Sequence, residues 1–194
     1  TAQRHEQGTA MSPASRYLNC EGREIHYMEW GAQHTDTVIA WHGLARTGRD
    51  MDELAAHLSA RGWRVICPDT VGRGLSQWSS APEQEYCLAF YARIARELMD
   101  GLGLRAVHWV GTSMGGLIAL GLQGGQAMSA LLRPARPGPG LGAEPLQLPL
   151  GRVVLNDVGP ALDMTGLQRI SEYVGQSVLF DTFDQAVEYV RSVS

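Results

Sequence analysis

The chain has no histidine after position 108; its six histidines stand at 5, 26, 34, 42, 57 and 108. It also has no apolar stretch near the roughly 18 residues that a membrane helix needs, so no spanning helix and no membrane partner are expected. Basic clusters are missing too. With a formal net charge of −4, nothing in the electrostatics points to nucleic acid or to an anionic lipid surface. Cysteine is scarce: Cys20, Cys67 and Cys87 make an odd number without metal-ligand spacing, which speaks against a disulfide scaffold and for reduced thiols in a cytoplasmic protein. No histidine has metal-ligand spacing with another ligand, so no metal is expected. The polar start, Thr1-Ala2-Gln3-Arg4-His5-Glu6, is unlike a signal peptide. Met11 is a plausible true start, and residues 1–15 are expected to form a flexible leader.

What is present fits one ordinary globular domain: 194 residues, 44% hydrophobic and 19% charged. Short apolar runs alternate with helical patterns. Residues 16–20 and 23–30, joined at Glu21-Gly22, predict a hairpin. Residues 37–41, Thr-Val-Ile-Ala-Trp, predict a buried strand, and the helix after it places Met51, Leu54, Ala55 and Leu58 on one face before Gly62. A strand over 63–67 follows. Ser80 and Pro82 then open a helix striped by Cys87, Tyr91, Ile94 and Leu98 and ended by Gly101 and Gly103. Residues 106–110 form a further strand, followed by a helix from about 114 towards 132, and residues 153–155 one more strand. Strands separated by amphipathic helices predict an α/β fold: a mostly parallel sheet with helices on both faces and active loops at the carboxyl ends of its strands. The core is expected over residues 16–158.

Residues 133–151 hold five of the nine prolines and four glycines, a composition that excludes regular structure and predicts a surface insertion. Beyond Pro160, Thr165-x-x-Gln168 and Thr182-x-x-Gln185 each have the spacing of a helix-capping box. Leu167, Ile170 and Val174 share one helical face, as do Phe183, Ala186, Val187 and Val190. Residues 159–194 are therefore expected to begin a helical lid.

The chemistry is concentrated at Gly111-Thr112-Ser113-Met114-Gly115, directly after an apolar strand. This G-x-S-x-G pattern is a nucleophile elbow: the strand-to-helix turn is sharp enough to require glycine at its flanks and pushes the serine into the open. Ser113 is the expected nucleophile for acyl transfer through a covalent intermediate. The plain structural alternative is a turn with a serine N-cap. Asp69, in Asp69-Thr-Val-Gly-Arg-Gly, is expected to order its own loop through backbone N–H groups, and Arg73 and Trp78 are candidates for lining the site. His108 is expected to be a hydrogen-bonded core residue, whereas His5, His26, His34 and His57 are expected to face water.

Three motifs in order, His42-Gly43, Asp69-x-x-Gly72-x-Gly74-x-Ser76 and the elbow, make the chain resemble the α/β-hydrolase superfamily, of the small single-domain esterase-like kind, over roughly residues 16–194. The resemblance implies a serine hydrolase of small esters or related acyl bonds, with a small-molecule acyl substrate and no cofactor. It puts the oxyanion donors at the backbone N–H groups of Leu44 and Met114. His42 would shape the oxyanion loop or, alternatively, substitute as base; Asp157 would be the triad acid, or else a turn carboxylate. Aspartate at position 113 would have favoured dehalogenase or epoxide-hydrolase chemistry. Family members use the order serine, acid, histidine, so two further strands carrying the usual acid and the histidine would be missing here, and the chain is expected to be the N-terminal portion of a longer hydrolase. As it stands, it would be inactive or a ligand-binding-only domain. Its strand at 153–155 would then lie at a sheet edge and favour self-association.

Overall fold

The computed structural model describes residues 12–123, 150–158 and 179–193. The chain divides into two compact units, Thr1–Val158 and Gly159–Ser194. The first is built on a six-stranded sheet of order β1-β2-β4-β3-β5-β6. β1 (Ala14–Cys20) and β2 (Arg23–Trp30) form the hairpin; Glu21 and Gly22 between them both have positive φ, 52° and 71°, as a type I′ two-residue turn requires. β2 is also antiparallel to β4 (Arg64–Pro68). From there the sheet is parallel: β4 with β3 (Thr37–Trp41), β3 with β5 (Val107–Thr112), and β5 with β6 (Leu150–Asn156).

Helices cover both faces because the inner strands are apolar on both. In β3, Val38 and Ala40 pack on one side with Met51 and Ala55, the latter from α1 (Asp52–Ser59). Ile39 and Trp41 pack on the other, with Ile94 and Leu98 of α3 (Leu88–Gly101) and Ile118 and Leu122 of α4 (Met114–Gln123). A strand buried on both faces reads as a continuous apolar run, as Thr37–Trp41 does.

Several boundaries differ from expectation. β1 starts at Ala14, so the expected leader limit at 15 falls inside a strand: Ala14 and Ser15 pair with Glu29 and Met28, and pairing outweighs their weak strand preference. Residues 48–51 form a 3₁₀ turn ahead of α1. The single helix expected from Pro82 is two, α2 (Pro82–Glu85) and α3, with Cys87 extended between them (φ −143°, ψ 156°). The break follows Tyr86, whose hydroxyl accepts the Ser79 N–H at 3.2 Å and so stays with the preceding loop. β6 takes Leu150 and Gly151 from the expected insertion; the remainder of that insertion, the elbow-helix stretch from 124 to 132 and the helix after Thr165 lie outside the described residues.

In the second unit α5 (Phe183–Val193) is described. Its start is capped by Thr182 Oγ1, which accepts the Gln185 N–H at 3.3 Å; Gln185 Oε1 accepts the Asp181 N–H at 3.0 Å, one residue before the position a capping box would use. No helix among the described residues is long and apolar enough to cross a membrane.

Candidate active site

The turn from β5 into α4 is a single residue, Ser113, with φ +50°. A non-glycine residue in this left-handed region costs about 1–2 kcal/mol, so the surroundings must hold it there. Its N–H donates to Asn156 O at the end of β6 (2.8 Å), and its carbonyl accepts the N–H groups of Gly116 (2.9 Å) and Leu117 (3.2 Å), which start α4. Glycine at 111 and 115 is a steric requirement. A Cβ on Gly111 would lie 2.4 Å from the Gly115 backbone, and one on Gly115 would lie 2.3 Å from Trp41 O. Met114, as the first residue of α4, has an N–H without an intrahelical acceptor.

Facing this turn is the loop after β3. A Cβ on Gly43 would lie 3.7 Å from Ser113 Cβ, so that backbone runs directly beside the serine. His42 is fully buried. Its Nδ1 donates to Gly43 O at 2.6 Å, and its Nε2 accepts the Thr70 N–H at 3.0 Å. Because a backbone N–H can only donate, Nε2 carries no proton and the ring is neutral. Burial pushes the His42 pKa below its usual 6.5, against the opposing pull of the Gly43 bond and of Asp69. Both nitrogens are committed, so the ring has no free site to accept a proton from Ser113. What His42 does instead is local: Gly43 C=O and Leu44 N–H belong to one planar trans peptide and point in opposite directions, so anchoring the carbonyl fixes the direction of the Leu44 N–H. The Arg46 N–H adds a second, longer bond to the same carbonyl at 3.3 Å.

Two buried indoles brace this arrangement from below. Trp41 and Trp109 stack, with ring centroids 5.5 Å apart and planes 9° from parallel. Trp41 Nε1 donates to Thr70 Oγ1 (2.8 Å), the residue that holds His42, while Trp109 Nε1 donates to Gly115 O (3.0 Å) within the elbow helix. Arg73 braces it from the side. Its Nε donates to Leu44 O (3.1 Å) and its Nη1 to Val71 O and to Tyr91 Oη (both 2.9 Å). Its guanidinium carbon lies 5.4 Å from the centroids of both Tyr86 and Tyr91. Trp78, the other residue considered for the lining, is 72% exposed.

Asp69 is buried and accepts the N–H groups of Leu75 (2.8 Å), in its own loop, and Gly48 (2.7 Å), at the far end of the loop after β3. It also accepts from His26 Nδ1 at 2.8 Å. His26 is therefore not solvated as expected but only 2% exposed, because β2 is an inner strand between β1 and β4. His108 is half-buried rather than core; its Nδ1 accepts the Arg152 N–H (2.8 Å), and its ring meets Trp63 edge-on.

The sequence and fold of this chain match known proteins. A family model for the alpha/beta hydrolase fold matches residues 36–122, the stretch that contains both walls of the site. The chain is 37% identical over 188 residues to a 3-hydroxybutyrate-oligomer hydrolase of Cupriavidus necator, covering 94% of this chain and 57% of that protein. A solved α/β hydrolase of Novosphingobium aromaticivorans superposes with a TM-score of 0.72 at 31% identity, over 93% of this chain and 56% of the other. The chain belongs to the α/β-hydrolase superfamily. A non-heme haloperoxidase of Rhodococcus erythropolis is 35% identical over 97 residues, half of this chain and 33% of that protein. This α/β-hydrolase chain thus spans little more than half the length of the first two relatives.

Within that fold, Asp157 directly follows β6, exposed and with φ +53°. The last paired positions of β5 and β6 are Thr112 and Asn156, so Ser113 and Asp157 are the next residues of adjacent parallel strands, and both are left-handed. The sequence motifs marked Ser113, Gly43 and Asp69. They did not mark Thr70, His26 or the bonding of the two tryptophans, because these are contacts between distant segments; the only hint was that Trp41 and Trp109 each sit in an apolar strand. Among the described residues no group of three or more His, Cys, Asp or Glu side chains is placed to hold a metal ion.

Proposed function

We propose that this chain carries the nucleophile and oxyanion elements of a serine ester hydrolase that acts on small esters, short hydroxy-acid esters foremost. The observation that carries this reading is Ser113, held at φ +50° between β5 and α4 with the Gly43 backbone beside it. Ser113 Oγ attacks the ester carbonyl and forms an acyl-enzyme; the alcohol leaves with the proton, and water then releases the acid. Charge on the carbonyl oxygen is met by the N–H groups of Leu44 and Met114, the second aided by the positive end of α4. Asp157 is the carboxylate this reading pairs with a base. The substrate class follows from the Cupriavidus necator relative, named for oligomers of 3-hydroxybutyrate. Serine and water supply every atom of the reaction, so no cofactor is required.

A second reading, capture of an acyl ligand with little turnover, is favoured by the commitment of both His42 nitrogens. One experiment addresses both. The chain and its Ser113→Ala variant are incubated with p-nitrophenyl butyrate, p-nitrophenol release is followed, and the protein is then digested and weighed. A butyryl group on the Ser113 peptide, absent from the variant, is the expected result. Release limited to about one equivalent supports capture, whereas sustained Ser113-dependent release supports hydrolysis. Acylation elsewhere, with Ser113 untouched, sinks both.

A further inference from the structure

A second serine, on the opposite side of the sheet order from Ser113, sits at the end of its own proton relay. Ser15 is exposed on β1 and lies 2.8 Å, Oγ to Nε2, from His26. His26 Nδ1 lies 2.8 Å from Asp69 Oδ2, and both residues are buried, each being 2% exposed. The proton positions follow from the surrounding donors. Asp69 already accepts backbone N–H groups from Gly48 on one oxygen and from Leu75 on the other, so it behaves as an acceptor and His26 Nδ1 must donate to it. With Nε2 unprotonated, the ring presents a lone pair there and the Ser15 hydroxyl, 2.8 Å away, donates to it. This is the order serine, imidazole, carboxylate that activates a nucleophile elsewhere.

The relay is held rigidly. The His26 N–H donates to Ser76 Oγ (2.9 Å), Ser76 Oγ donates to Asp69 O (2.7 Å), and the Asp69 N–H donates to His26 O (2.9 Å), closing a ring of bonds around the pair. The Tyr17 ring lies against His26, with centroids 5.1 Å apart.

We infer that Ser15 is a second activated serine, a covalent modification site for strong acyl or phosphonyl donors, independent of Ser113. With a fluorophosphonate, Ser15 Oγ forms the P–O bond, the P–F bond breaks with its electron pair leaving as fluoride, and the hydroxyl proton passes to His26 Nε2 and on to solvent. The reaction is stoichiometric, because the phosphonyl–serine ester that forms is not hydrolysed by the relay and each Ser15 reacts once.

The test uses the full chain with a fluorophosphonate probe and peptide mass spectrometry. Ser15 and Ser113 fall on different tryptic peptides, separated by Arg16 and Arg23 among others, so labelling of each is read separately. In the Ser113→Ala variant the Ser15 peptide is expected to label on the order of 10²-fold faster than the peptide carrying exposed Ser80, the gain typical of a positioned general base. Ser15→Ala, an exposed change on an edge strand, is expected to abolish that label with an unaltered circular dichroism spectrum. Folded Ser113→Ala protein in which Ser15 labels no faster than Ser80 overturns the inference, whatever happens at Ser113. Failure of Ser113 to react in the wild-type chain bears on the proposed function alone.

Discussion

Ser113 occupies a conformation that its side chain disfavours, and the cost is met by the backbone packing beside it. That packing has no slack at Gly115, where an added Cβ would lie 2.3 Å from the carbonyl oxygen of Trp41. A backbone atom of an inner strand cannot swing aside as a flexible side chain could. Gly115→Ala is therefore expected to lower stability by at least about 1–3 kcal/mol, the usual cost of overpacking, seen as a lower urea midpoint with an unchanged slope. An unaltered midpoint would show that α4 can shift away from β3. His42 supplies a second residue-scale expectation, in pH. Its folded pKa is depressed, chiefly by burial, so below the usual 6.5 the unfolded chain takes up a proton that the folded chain refuses. The neutral ring's contribution is thus intact above about 6.5 and is lost as pH falls through the folded value. Imidazole ¹⁵N shifts should show His42 still as the neutral Nδ1–H tautomer in solution more acidic than its usual 6.5. A His42 that gains its proton at the usual 6.5 or above would contradict the assignment.

Among the elements, α3 carries much of the core: Phe90, Tyr91, Ile94, Leu98 and Met99 are all buried along one side. Leu98→Ala should cost about 2–5 kcal/mol. Arg96, an exposed neighbour facing Asp100 at 3.8 Å, should cost no more than about 0.5 kcal/mol as alanine, because exposed pairs are screened and mobile. Thermal or urea unfolding of the two variants checks the contrast, and comparable losses would mean that α3 is held by its charges rather than its packing. The stripe that buries α3 was legible in the sequence, since Tyr91, Ile94 and Leu98 recur at helical spacing. Its true start was not, because the break at Tyr86 and Cys87 depends on a hydroxyl reaching Ser79 from across the loop. The same division holds at the candidate site. The G-x-S-x-G spacing is a local steric rule and marks its own turn, whereas the links from Trp41 through Thr70 to His42, and from Arg73 to Leu44, join segments about 28–29 residues apart and leave no periodic trace. His26 was misjudged for a related reason: charged and polar neighbours at Arg23 and Glu24 make the start of β2 look half-exposed, and only pairing with β4 on its far side shows the strand to be internal.

For the whole molecule, the sheet is asymmetric in how it ends. β1 at one end is the polar strand of a hairpin, but β6 at the other is a parallel strand of Val153, Val154 and Leu155, paired among the described residues with β5 alone. Val154 and Leu155 are 53% and 38% exposed, large values for a strand type that is ordinarily covered on both faces. An apolar strand that lacks a neighbour is a template for pairing with another copy. The 194-residue chain is accordingly expected to associate as its concentration rises, with multi-angle light scattering giving a mass above that of one chain. Val154→Lys places a charge on the exposed face of β6, a device that natural edge strands use against pairing. It should return the protein to monomer while changing stability by no more than about 0.5 kcal/mol. Wild-type protein that stays monomeric across the accessible concentrations rules the edge out as an association surface, and association that persists in Val154→Lys moves it to another face.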